Sequence, residues 1–181
     1  SIEELLKKLE EDIERVLRKS EELLKRNEEE NKKVLDESKR LLDELKKRAE
    51  KVLRELKDEK RRLEDAERKI REMEKEARKV LEDSKRTSEK LKKKAEDVLK
   101  RSKEEVEELK RRVKKVREDG TTEEVLKEIV KRVRDDIERH DRESKKLSDE
   151  NKRVVDEHRK RSEELARKLE ELLREIRERV T

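Results

Sequence analysis

Apolar residues fall in pairs along the first part of the chain: Leu5-Leu6, Val16-Leu17, Leu23-Leu24, Val34-Leu35, Leu41-Leu42 and Val52-Leu53. Their spacing alternates between 11 and 7 residues, so the pattern repeats every 18. Eighteen residues make five turns at about 3.6 residues per turn, which keeps the apolar stripe straight along a helix. A strict heptad would force a left-handed supercoil; this spacing predicts nearly untwisted helices.

The same pattern recurs twice more. At an offset of 120, Glu30-Asn31-Lys32-Lys33-Val34-Leu35 aligns with Glu150-Asn151-Lys152-Arg153-Val154-Val155, and Ser20 falls on His140. At an offset of 64, Val80-Leu81, Ser84, Val98-Leu99 and Ser102 match Val16-Leu17, Ser20, Val34-Leu35 and Ser38. The chain therefore holds three helix-length units of matched pattern.

Punctuation between the units is uneven. The only glycine, Gly120, lies in Glu118-Asp119-Gly120-Thr121-Thr122, and there is no proline. Residues 119–122 read as a loop, with Thr121 as the hydroxyl N-cap of a capping box closed by Glu124, matching Ser1 and Glu4 at the chain start. Between the first two units, Leu56-Lys57-Asp58-Glu59-Lys60-Arg61-Arg62-Leu63 contains no helix breaker. The expectation is an all-α fold with a very long helix over 1–118, about 175 Å at 1.5 Å per residue. A shorter antiparallel helix follows over 121–181 and forms a hairpin with 59–118. Residues 1–58 would then project with an uncovered apolar stripe and pack on another chain. Straight three-helix bundles completed by oligomerisation follow, most simply as a domain-swapped antiparallel homodimer. The alternatives are a parallel hairpin dimer or trimer, and one component of a heteromeric assembly.

Polar residues interrupt the stripe at Ser20, Asn27, Asn31, Ser38, Ser84, Ser88, Ser102, His140, Ser144, Asn151, His158 and Ser162. A buried polar group without a partner costs roughly 1–3 kcal/mol, so scattered placements would be damaging. Folding at Gly120 brings Ser102 to His140 and Ser84 to His158. Running the first unit antiparallel to the second brings Ser20 to Ser102 and Ser38 to Ser84. Both registers close on the same layers, where the side chains can satisfy one another and penalise a slipped register. His140 and His158 are the only histidines. Burial lowers the proton affinity of a neutral imidazole, which makes both candidates for an acid-sensitive switch.

Composition excludes more than it adds. The chain is 62% charged, with no aromatic residue and no cysteine. Its 59 basic and 54 acidic residues alternate in sign, the mark of a solvated, ion-paired helix surface rather than a nucleic-acid footprint. No run is apolar enough to span a membrane, a lipid-surface helix would want Trp or Phe, and Ser1-Ile2-Glu3-Glu4 opens a helix rather than a signal peptide. Two histidines 18 residues apart cannot chelate one metal, and three packed helices leave little room for a substrate pocket. No cofactor, metal, small-molecule substrate or catalytic group is expected; the expected partner is a second copy of the chain.

The Glu-Glu-Leu-Leu-Lys-Lys opening, the Asp-Gly-Thr-Thr-Glu-Glu connector, the absent aromatics and the Asn/Ser/His seam resemble de novo designed helical bundles with buried hydrogen-bond networks. The buried His140 and His158 are also similar to designed helical oligomers that come apart in acid. That resemblance implies a self-assembling structural protein, soluble and with no natural compartment. Spectrin-like repeats also run one helix from bundle to bundle, but they carry core aromatics that this chain lacks.

Overall fold

The computed structural model describes residues 1–57 and 59–180, without the side chains of Arg179 and Val180. Asp58 and Thr181, the last residues expected in the first and third units, lie outside the described residues. Three helices make up the chain: α1 (Ile2–Glu55), α2 (Lys60–Asp119) and α3 (Glu123–Val180). Among the described residues there is no strand.

The helix ends follow local chemistry. Ser1 Oγ accepts the Glu4 amide at 3.3 Å, occupying one of the free donors of the first turn of α1. Gly120 ends α2 with φ of 76°, the left-handed conformation that lets its amide reach the Val116 carbonyl at 2.9 Å. The cap of α3 sits one residue later than the sequence suggests. Thr122 Oγ1, not Thr121, accepts the third amide of the helix, from Val125 at 3.3 Å. The Thr121 hydroxyl instead donates to the Thr122 carbonyl at 3.3 Å.

The larger correction concerns the expected helix over 1–118: α1 ends at Glu55 and α2 begins at Lys60. The chain tightens after α1 by short-range bonds: Leu56 N–H reaches both Val52 and Leu53 carbonyls, and Lys57 N–H the Arg54 carbonyl at 3.3 Å. Glu59 N–H bonds to the Leu56 carbonyl at 3.0 Å, and the Glu59 carbonyl accepts Leu63 N–H to start α2.

Burial outweighs propensity here. A straight helix would gain about four backbone bonds, each worth about 0.5–1.5 kcal/mol net. Folding back buries Leu6, Leu9, Ile13, Val16, Leu23, Val34, Leu45 and Val52 of α1 against the chain's own helices. Each such side chain contributes about 1.5–3 kcal/mol. Within this chain, α1 packs on α2 and α3.

The contacts group into two units. One combines Ser1–Glu28 with Lys90–Lys152; the other combines Glu29–Glu89 with the chain from Arg153 onward. Each takes a stretch from all three helices. The core of the first is centred on Leu9, Ile13, Val106, Val113, Leu126 and Val133. That of the second runs through Leu45, Val52, Leu56, Ile70, Leu169 and Leu173, beside a smaller cluster of Ala77, Val80 and Leu165. Cross-helix ion pairs decorate the outside, such as Arg117 with Glu3 and Glu10, and Lys94 with Glu150. Being exposed and screened by solvent, they contribute little to stability.

Candidate functional site: buried polar layers

Ten of the polar positions in the stripe are buried: Ser20, Asn27, Asn31, Ser38, Ser84, Ser102, His140, Asn151, His158 and Ser162. Ser88 and Ser144 are half-buried. The straight 18-residue stripe puts them there, because each occupies a position that repeats with the core residues.

In the first unit, one residue from each helix meets in a single layer. Ser20 of α1 and Ser102 of α2 lie with hydroxyl oxygens 3.0 Å apart, and both contact Nε2 of His140 on α3, Ser20 at 3.2 Å. Each hydroxyl also reaches back to its own helix, Ser20 to the Val16 carbonyl at 3.1 Å and Ser102 to the Val98 carbonyl at 2.7 Å. Counting protons assigns the ring. With the proton on Nε2, His140 donates to the serine oxygens, and each serine donates to its backbone carbonyl. Every proton is then used, and Nδ1 remains a bare acceptor, buried without a partner among the described residues. The other tautomer would bury an unpaired N–H, the rarer and costlier defect. Ser144 Oγ, one turn further along α3, is likewise buried without a partner among the described residues. Asn27 and Asn151 complete the buried polar set of this unit.

The second unit carries three pairs. Ser84 of α2 meets Nδ1 of His158 on α3 at 2.8 Å. Ser38 of α1 meets Ser162, one turn beyond His158, at 3.0 Å. Ser88 donates to Asn31 Oδ1 at 3.1 Å. The expected meeting of Ser38 with Ser84 does not form. Two α3 residues a turn apart share the work instead, His158 taking the α2 serine and Ser162 the α1 serine. If the Ser84 hydroxyl donates to Nδ1, the ring proton sits on Nε2, which is buried without a partner among the described residues.

Both imidazoles are held below the usual histidine range, chiefly because burial strips water from the charged form. Around His140, Glu105 of α2 and Glu143 and Asp141 of α3 pull the other way, while Arg101 of α2 adds to the depression. Around His158, Arg161 adds to it, and Glu157 and Asp83 oppose it. A proton entering the first layer must settle on Nδ1 of His140, where no acceptor waits. In the second layer it makes donors of both ring nitrogens of His158, and Nε2 has no acceptor among the described residues. Either event puts a positive charge into a buried layer.

Among the described residues, no group of three or more His, Asp or Glu side chains is placed to hold a metal ion. None of the described helices is long and apolar enough to cross a membrane. Sequence reasoning missed the tautomer logic and the Ser38–Ser162 pair, because both depend on which neighbour each α3 side chain faces. Comparison with protein-family models, with curated proteins and with solved structures found no match to this chain.

Proposed function

We propose that this chain is a non-enzymatic structural scaffold whose buried Ser/Asn/His layers dictate which helix positions meet, and whose histidines make that register sensitive to acid. The observation that carries this reading is the Ser20–Ser102–His140 layer. It draws one side chain from each helix, and each polar atom in the shared cluster depends on the others. Sliding any helix by one residue rotates its side chain by about 100° and strands the remaining partners, at roughly 1–3 kcal/mol per group. Leu and Val neighbours discriminate far less, since a slipped apolar side chain still meets apolar surface. With the resemblance of the sequence to designed bundles, this supports a de novo designed origin.

A second reading, the domain-swapped antiparallel homodimer, is favoured by the junction of α1 and α2. It holds no Gly or Pro, so straightening it costs little. Two copies could then exchange residues 1–57 and remake every layer between chains. The parallel hairpin oligomer is disfavoured, because Ser20 meets Ser102 only when α1 runs antiparallel to α2.

Solution mass at neutral pH, measured by light scattering over a range of concentrations, tests these readings. The single-chain mass of 22.1 kDa supports the closed scaffold. Twice that mass supports the exchanged dimer with the same layers, and three or more copies would contradict both.

A further inference from the structure

We infer that the second unit contains a binding site for a small neutral apolar molecule, about the size of one aromatic ring. A cavity of about 170 Å³ opens between α1 and α2 with α3 as its floor. Its inner walls are Ala49, Ile70, Ala77, Leu165 and Leu169, with the flexible Met73 beside them.

The 18-residue repeat explains why space is left there. In the first unit, Ile13, Val113 and Val133 are buried together in one core. Two repeats along each helix, the equivalent positions are Ala49, Ala77 and Leu169. Two branched side chains have become methyl groups, and the geometry of the helices has not closed the gap. All three replacements are still buried.

The chemistry of the lining selects the ligand. A trapped water needs two to four polar partners. None of the buried polar atoms that lack a partner among the described residues lies on this lining. Apolar cavities of about 150 Å³ take up benzene, so the volume suits one ring. At the mouth stand Asp43 and Glu74 against Lys46 and Arg78. Two acids and two bases cancel, so no ionic headgroup is favoured, and the long stems of Lys46 and Arg78 can cover a bound apolar molecule. Three packed helices leave little room for a pocket, and at this height the two alanines supply it.

Benzene is the probe, and the chain supplies its own reporter. Met73 is the only methionine, and there is no aromatic residue. A ¹³C-methyl label on methionine therefore gives one resonance, and a ring-current shift of it that grows with benzene comes from the ligand. Titration at neutral pH should move that resonance saturably. Ala77→Val and, separately, Ala49→Ile restore the side chains of the first unit, and each should weaken binding by at least about tenfold while helicity is retained. If Ala49→Ile overpacks and unfolds the chain, the smaller Ala77→Val change decides alone. A shift that is absent, that never saturates, or that survives the filling variants would overturn the site.

Discussion

Replacing the Ser102 hydroxyl tests whether the polar layer acts as a connected set. Ser102 is fully buried at 0% exposure and contacts Ser20 Oγ, His140 Nε2 and the Val98 carbonyl. In Ser102→Ala, His140 Nε2–H keeps Ser20 at 3.2 Å as its one acceptor. The loss is about one net hydrogen bond plus part of a stranded-donor penalty, together about 1–2 kcal/mol. Alanine's higher helix propensity returns up to about 0.5 kcal/mol, leaving a cost near 1 kcal/mol. Removing both hydroxyls strands the imidazole N–H altogether and should cost about 2–3 kcal/mol. The triple change Ser20→Ala, Ser102→Ala, His140→Leu removes donors and acceptors together and should be close to neutral or stabilising. Urea denaturation followed by far-ultraviolet circular dichroism at about pH 8, where the histidines are neutral, measures all three. The diagnostic is the reversal of sign between the double and triple variants. If the triple costs the sum of its parts, or if Ser102→Ala is neutral, the side chains are not acting as one network.

Other consequences follow from the same geometry. Because both histidines are held below their unfolded value of about 6.5, the unfolded chain binds more protons in acid. Stability should be full above about pH 6.5 and fall as pH drops toward the folded values, each tenfold loss of proton affinity being worth about 1.4 kcal/mol. Converting both histidines to Asn should flatten denaturation midpoints between about pH 6.5 and 5, above the range where carboxylates titrate. Lys60→Pro separates a turn from a continuous helix: at the first position of α2 it should be nearly neutral, whereas inside an unbroken helix it would cost about 3 kcal/mol in thermal or urea unfolding. Thr122→Ala should cost about 1 kcal/mol by urea denaturation as the true cap of α3, and Thr121→Ala should stay within about 0.5 kcal/mol. Gly120→Ala should cost about 1–2 kcal/mol from backbone strain alone, since an added Cβ meets nothing within 4 Å.

The repeat of apolar pairs was enough to read three helical segments and their straight stripes, because helix periodicity is written directly into side-chain order. Antiparallel register was legible too, since Ser20, Ser102 and His140 coincide only in one alignment. The break between α1 and α2 was not legible. The segment holds no Gly or Pro, and the burial that bends the chain lies at Leu56, Ile70 and Leu173, far apart in sequence. The cap at Thr122 was misplaced by one residue because two threonines stand side by side and either fits the pattern. Ala49 and Ala77 looked like ordinary stripe residues, and only their place in a repeating layer reveals the missing volume. Likewise, Ser162 reads as an equal member of the seam, and nothing in its spacing says that it, rather than Ser84, takes Ser38.

Nitrogen NMR of the two imidazoles tests the buried layers most directly, since His140 and His158 are the only histidines and give two spin systems. At neutral pH both rings should be neutral, with the His140 proton on Nε2, and both should protonate below the free value of about 6.5. Two rings that exchange between tautomers and titrate together near that value would contradict the layers.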